Sequence, residues 1–515
     1  MSAAYNLETA EREIFCAARE QTMAMERHLG SDEALKASHS ELESYIEREG
    51  REYERRLMQA HMELRAARER PVEVRGSDGV QRKYRRDSDR PLSTVFGSVE
   101  VPRLAYQAPG VEGLHPMDAG LNLPEELYSH GVRRLVAEAV ARCSYEDVVN
   151  DVAAHTGETV PKRQVEQLAV RAAKDFDAFY AHSTDEPEPS TDLLVMAFDG
   201  KGIAMRREDL REATKRAAAK ATHKVQTRLS KGEKRNRKRM AEVGVIYEVA
   251  PFPRTIMDIL HDLKPVRDVS KRRPRPVNKQ VSASVVLNAK SVIAEKFQEA
   301  ERRDPEHLRR WVVLVDGNKD QIATVGKTAK KMGVQVTLVL DLMHVLEYLW
   351  KAAYCFHPEG SKEAEGWVQQ RLIGLLEGQS AGYLANGMRQ MAIARKLTEE
   401  QREPVDDCAH YLVNNNRLLH YDRALRDGLP ISTGVVEGAC RYLVQDRMGK
   451  TGARWSLHGA EAVLKLRALW TNGDLDAYWA FHLAREHERT HRSRYAGGLV
   501  PSVVEAPKPR LRRVK

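Results

Sequence analysis

Two aspartates follow the same kind of run. Residues 193–202 read LLVMAFDGKG and residues 311–320 read WVVLVDGNKD, each an apolar stretch of strand length that meets Asp-Gly, at Asp199 and at Asp316. A strand buried on both faces reads as a continuous apolar run, and open α/β sheets bind ligands outside the carboxyl ends of their strands. Carboxylates delivered there suit Mg2+, a hard cation that takes oxygen ligands and shares them with substrate phosphates. Two such ions about 3.5–4 Å apart stabilise both the attacking and the leaving oxygen of an in-line phosphoryl displacement. The plainer reading is a turn, because a single Asp-Gly after a strand more often caps than ligates. The repetition favours a site.

A third carboxylate, Glu437, lies in ISTGVVEGACRYLVQDRMGKTGARWS, on the first turn of a helix entered through Ser432, Thr433 and Gly434. Arg441 follows one turn on, and Arg447, Lys450 and Arg454 complete a basic setting natural beside a phosphate backbone. A surface Glu437–Arg441 ion pair of little energy is the alternative. In VTLVLDLMHVLEYLW a strand meets Asp341, and His344 comes three residues later. That pair shapes a crevice better than it ligates a metal. Lys201, two residues beyond Asp199, reads either as a phosphate contact or as a cap of the turn.

These residues need an α/β frame. Apolar, β-branched runs at 193–198, 243–250, 281–287, 311–315 and 334–340 read as strands, and 289–303, 320–331 and 342–356 read as helices. Residues 361–427 are helical in pattern. Upstream, residues 1–75 form a helical N-terminal region, with Leu42, Ile46, Tyr53, Leu57 and Met58 near one face; a helical hairpin, a dimerising coil and a simply packed helix all fit. Residues 76–115 are a small β-rich segment punctuated by Gly, Asp-Gly and Pro. In 116–185, SYEDVVNDVAAHTGETVPKRQVEQLAVRAA reads as two helices joined by a turn at Gly157, with Pro161, Lys162 and Arg163 opening the second. Such a pair is a candidate helix-turn-helix DNA-binding region or an ordinary helical hairpin. The acidic STDEPEPSTD at 183–192 reads as a linker.

The chain has 515 residues and a net charge of +9, with a pI near 9.1. Its length fits two to four structural units. The basic balance favours a polyanionic partner, although a solvated basic surface accounts for the total equally well. The charge is concentrated: residues 206–239 hold 14 Lys and Arg against 4 Asp and Glu. That local excess argues for DNA far more than the total does. The five cysteines are scattered without a C-x-x-C pair, which speaks against a disulfide framework and against zinc. No window approaches the roughly 18 apolar residues of a membrane span, and the charged N-terminus does not read as a signal peptide. A cytoplasmic protein with no membrane partner is expected.

The order of Asp199, Asp316, an Asp341-x-x-His344 element, a long helical segment and Glu437 resembles the DDE transposases, and most closely the Kra-type insertion-sequence transposases. FDGKG, VDGN, LDLMHVLEYLW, the Glu437 segment, AEAVLKLRALWTNGD and the upstream TVFGSVEVPRLAY carry the resemblance, over most of residues 90–485. It implies an α/β fold: an RNase H-like mixed-sheet core with a helical insertion, plus the mostly helical N-terminal region. The core would occupy 186–345 and 428–485, the insertion 346–427, and a basic tail 486–515. One departure stands out. Relatives often carry a zinc-ribbon-like cysteine pair where this chain has QAPGVEGLHPM, so no zinc is expected.

The resemblance further implies Mg2+-dependent cleavage and strand transfer at the ends of an insertion sequence, with Mn2+ able to substitute. Asp199 and Asp316 would bridge two ions and Glu437 would hold one of them. Asp341 and His344 would shape the active site, while Lys201, Arg441, Arg447, Lys450 and Arg454 would position DNA phosphates. Double-stranded DNA, as element ends and as target, is the implied partner, bound by a homo-oligomer associated with the nucleoid. Two other readings keep the same fold: a transposase-derived DNA-binding protein without catalysis, and a structure-selective nuclease.

Overall fold

The computed structural model describes residues 13–182, 190–221, 225, 227, 230, 233, 236–263, 273–450 and 452–504. Most of the 183–192 linker, parts of the basic stretch at 206–239 and the KPRLRRVK tail lie outside them. The chain divides into two units, one of residues 1–182 and 473–515 and one of residues 183–472.

In the first unit, α1 (Cys16–Leu29) and α2 (His39–Ala67) pair as an antiparallel hairpin. Gln21 donates to Glu49 and Arg56 to the Ala17 carbonyl across it. α2 starts where Ser38 and Glu41 form a capping box, which satisfies two otherwise orphaned amides. Strands β1 (Tyr84–Ser88), β4 (Arg103–Ala108) and β5 (Val111–Leu114) form an antiparallel sheet, and β2 (Pro91–Thr94) with β3 (Gly97–Glu100) forms a hairpin.

Three helices, α3 (His130–Arg142), α4 (Tyr145–Thr156) and α5 (Lys162–Ala172), then pack on one another through Val132, Val136, Val148, Val152, Val165 and Leu168. α4 ends at Gly157, whose φ of +74° is the left-handed conformation that glycine adopts without steric cost. Pro161 caps α5 from just outside its first turn.

The second unit is built on a five-stranded mixed sheet. Its strands are β6 (Leu193–Ala204), β7 (Lys238–Val249), β8 (Val277–Ser284), β9 (Trp311–Val315) and β10 (Val336–Leu340), in the order β10-β9-β6-β7-β8. β6, β7 and β8 form an antiparallel meander, while β9 runs parallel to β6 and β10 parallel to β9. Every residue of β9 and the first six of β6 are buried, as their apolar runs require.

α6 (Ala289–Arg303) packs on β7 and α7 (Lys319–Met332) on α6. α8 (Leu342–Ala353) leads from β10 into α9 (Lys362–Leu376), α10 (Ala381–Ala394) and α11 (Glu399–Asn414), of which α11 packs against both α8 and α10. α12 (Gly434–Ala439) then continues as a π-helical segment, Cys440–Gln445, against β6, and α13 (Leu457–Asn472) lies on β8.

Two boundaries differ from the sequence reading. β6 does not stop at Asp199: it stays paired with β7 through Ala204 opposite Lys238, so only its pairing with β9 ends, at Ala197 opposite Leu314. The core also ends earlier than residue 485. The helix Leu475–Thr490 belongs to the first unit, because Tyr478 and His482 are buried against residues 172–179 there.

Candidate active site on β6 and β9

Register relates the first two carboxylates. Leu194 to Ala197 pair with Trp311 to Leu314, an offset of 117 positions, and 117 also separates Asp199 from Asp316. The ladder itself ends at Ala197 and Leu314, so each aspartate lies two residues past the last paired position, Asp199 still within β6 and Asp316 just after β9. Both are half-buried. Asp199 Oδ1 accepts from the Gly200 amide at 2.6 Å, and Asp316 Oδ1 accepts from the Asn318 amide at 2.9 Å. Asn318 in turn caps α7 by accepting from Asp320 and Gln321. The turn role of Asp316 is therefore real, and it engages only one carboxylate oxygen.

Glu437 is exposed on the first turn of α12, three residues before Cys440. Cys440 is buried beside Asp199. Burial first, and then that carboxylate, push its thiol pKa well up, so it stays protonated. None of Asp199, Asp316 and Glu437 has an ion-pair partner within 4.0 Å among the described residues.

Asp341 is the opposite case. It is fully buried at the start of α8. Its Oδ1 accepts from the backbone amides of Thr433 (3.0 Å) and Met343 (3.2 Å), and its Oδ2 lies 2.7 Å from the Thr433 hydroxyl and 2.6 Å from His344 Nδ1. Burial works to raise its pKa, but the bonds from His344 and Thr433 prevail and hold it below the usual carboxylate value. The same bond raises His344 to about 9, against burial and with help from Asp341, Asp316 and Glu347. At neutral pH His344 is an imidazolium whose Nδ1–H donates to Asp341.

Asp341, His344 and Glu437 have ligand atoms within 4.8 Å of one another, and Asp199 and Asp316 are in no such group. Proximity alone does not make that trio a metal site. The Asp341 oxygens already face four donors, which makes Asp341 a poor ligand, whereas His344 can offer Nε2 once that nitrogen gives up its proton. What stays unsettled in the trio is Glu437. Its Oε1 lies 3.0 Å from the Thr433 hydroxyl, whose single proton also faces Asp341. One carboxylate oxygen must therefore meet a lone pair, a conflict that a cation at Glu437 would relieve.

A second trio, Asp175, His482 and Glu486 in the first unit, is closed by protein cations. The buried Arg133 reaches Glu486 at 2.8 Å and His482 Nε2 at 3.1 Å, and Arg489 holds Asp175 at 3.0 Å. Guanidinium only donates, so Nε2 accepts and Nδ1–H of His482 donates to Asp175.

The basic residues divide. Lys201, Lys450 and Arg454 are exposed, and the Arg441 side chain is 80% exposed. Arg441 meets Asp446 at 3.9 Å and, among the described residues, makes no ion pair with Glu437; a π segment begins at Cys440, between the two. Arg447 is a correction to the phosphate-binding reading. It is 3% exposed, with its guanidinium 4.7 Å from the Trp455 ring centre, so it braces a loop from inside. Trp455 fastens that loop to the end of β6: its amide donates to Ala204, its carbonyl accepts from Arg206, and its indole donates to Met448. Thr433, Cys440 and Tyr411 were not singled out from sequence. Thr433 and Cys440 flank Glu437 closely enough to have been flagged, whereas Tyr411 carries no local signal.

The chain matches no protein-family model, and comparison with curated proteins returned no match.

Proposed function

We propose that this protein is a DDE-type DNA transposase with an RNase H-like core, cleaving and rejoining DNA strands through Asp199, Asp316 and Glu437. The observation that carries the reading is the shared offset of 117: Asp199 and Asp316 each stand two residues beyond the last paired position of the parallel β6–β9 ladder, and neither has an ion-pair partner within 4.0 Å among the described residues. The sheet supports it as well: a three-strand antiparallel meander followed by two parallel strands on the far side of the first is the strand order of an RNase H-like core.

By donor type Asp199, Asp316 and Glu437 suit Mg2+, which would there activate water or a 3′ hydroxyl and stabilise the leaving oxygen; as they stand, these three do not gather their ligand atoms within 4.8 Å of one another. The chain's own residues do the rest. β6 carries Asp199 within the strand and β9 delivers Asp316 to the turn that follows it, so both carboxylates stand on a paired sheet, which favours precise placement over a loop-borne site. The Thr433 amide donates to the buried Asp341, so the residue just before α12 is held against the start of α8. Lys201, Arg441, Lys450 and Arg454 lie on the exposed surface, where cations position a phosphate backbone without reading sequence.

Purified protein incubated with Mg2+ and labelled DNA from the flanks of its gene should show strand transfer. Asp199→Asn, Asp316→Asn and Glu437→Gln should each lower it at least about 100-fold, equivalent to about 2.7 kcal/mol. Binding without cleavage would instead support a non-catalytic DNA-binding protein. Cutting of branched DNA without preference for element ends would support a structure-selective nuclease.

A further inference from the structure

The helical segment between α8 and α12 has no evident task in a sheet-borne site, yet its last long helix reaches the Asp316 turn. Tyr411, near the end of α11, donates its hydroxyl to the Asp316 backbone carbonyl at 2.8 Å. Its ring stacks on Tyr348 of α8, with centroids 4.1 Å apart and planes 14° apart, so the phenol cannot swing away freely. Asn415 Nδ2 donates to the Tyr411 carbonyl at 2.9 Å and packs on the same turn.

The next residue shows how close the approach is. Gly317 has φ +93°, and a Cβ there would lie 2.9 Å from Tyr411 Cε2 and 3.0 Å from Asn415 Nδ2. The peptide after Asp316 is thus gripped from the insertion side. On the other side Asn318 N–H holds Oδ1. With peptide and one oxygen both held, the remaining carboxylate oxygen has little freedom of direction.

We infer that Tyr411 is a positioning residue for Asp316, and that the helical insertion serves the active site by orienting this carboxylate toward a divalent cation. The inference rests on the metal-dependent reading proposed above. It assigns the insertion a role within the same subunit, distinct from lining a DNA channel or pairing subunits. Groups behind metal ligands act in this way: they fix the ligand's direction, and their loss typically weakens metal binding about 10- to 100-fold.

The test is Mn2+ binding to the full-length protein without DNA, followed by calorimetry or by the electron-spin signal of free Mn2+. Wild type, Tyr411→Phe, Asp316→Asn and the double variant are compared, with melting temperature as the check on folding. Tyr411→Phe keeps the ring stack and deletes only the hydroxyl. It should weaken Mn2+ binding about tenfold or more with little change in melting temperature, and the double variant should bind no more weakly than Asp316→Asn. Rescue cannot come from packing, since the ring is retained.

Wild-type binding that weakens in Asp316→Asn but not in Tyr411→Phe overturns the positioning role and leaves the metal site intact. Additive losses in the double variant overturn it too, because Tyr411 would then act elsewhere. Wild type that binds no Mn2+, or binds it as Asp316→Asn does, overturns the metal reading itself and the inference with it.

Discussion

A carboxylate's environment decides whether it can serve a ligand, and Asp316 and Asp341 show the two outcomes one strand apart. Asp341 has every lone pair directed at a donor, and its partner Thr433 lies 92 residues away. Asp316 spends one oxygen on a turn, and no hydrogen-bond donor among the described residues reaches the other. His344 completes the contrast, because its charge depends on Asp341. It binds its proton more tightly folded than unfolded, with a pKa raised from 6.5 to about 9. The stabilisation is therefore complete below about pH 6.5 and is lost as the pH rises through about 9. Asp341 runs the other way: its contribution is present above 3.8 and lost as the pH falls through its lowered value.

The His344 ring is 37% exposed, so solvent screening discounts the full shift to about 1–2 kcal/mol. In EDTA, where no divalent ion competes, the wild-type melting temperature should drop between pH 6.5 and 9. His344→Gln should flatten that part of the profile; an unchanged slope in the variant would reject the assignment.

Elements set which side chains are offered. Period and apolar runs placed β9, α6 and α7 to within a residue, since they reflect backbone burial that neighbours along the chain already encode, whereas β6 runs six residues further, β7 starts five residues earlier, and the helices Glu212–Lys220 and Ile256–Asp262 left no such signal. The π segment at Cys440–Gln445 was invisible to that method. Arg441 lies within it and meets Asp446, Arg447 just beyond it is buried, and Arg454 further on is exposed. Arg447→Ala should lower stability by about 1–3 kcal/mol through lost stem packing and the lost contact with Trp455, as read from denaturant midpoints. Arg454→Ala should leave stability within about 0.5 kcal/mol and reduce the salt dependence of DNA binding by about one unit of log–log slope. The reverse pattern would return Arg447 to the DNA-binding surface.

At the scale of the whole chain, the return of the C-terminus to the N-terminal unit is the largest departure from a linear reading. Helix Leu475–Thr490 supplies His482, Glu486 and Arg489 to buried Arg133 and Asp175, and its Tyr478 hydroxyl donates to the Ala172 carbonyl at 2.6 Å. Ending the chain after Asn472 would leave those buried charges short of partners, at about 3–5 kcal/mol for a broken buried pair. Limited proteolysis read by mass spectrometry should then cut within residues 84–182 while 277–450 stays protected. Equal protection of both regions would show that the first unit holds without this helix.

Among the described residues, no helix is long and apolar enough to cross a membrane. By itself the sequence determined the alternation of strands and helices, the delivery of Asp199 and Asp316 by buried runs, and the helical start that carries Glu437. Each of these is a local property, set by periodicity, capping residues and a few neighbours. Tertiary structure alone decided the register that relates Asp199 to Asp316, the closure of Asp341, the burial of Arg447, the grip of Tyr411 and the return of the last helix. Each of those depends on partners roughly 8 to more than 300 residues apart, and only packing in three dimensions selects among the pairings a chain permits.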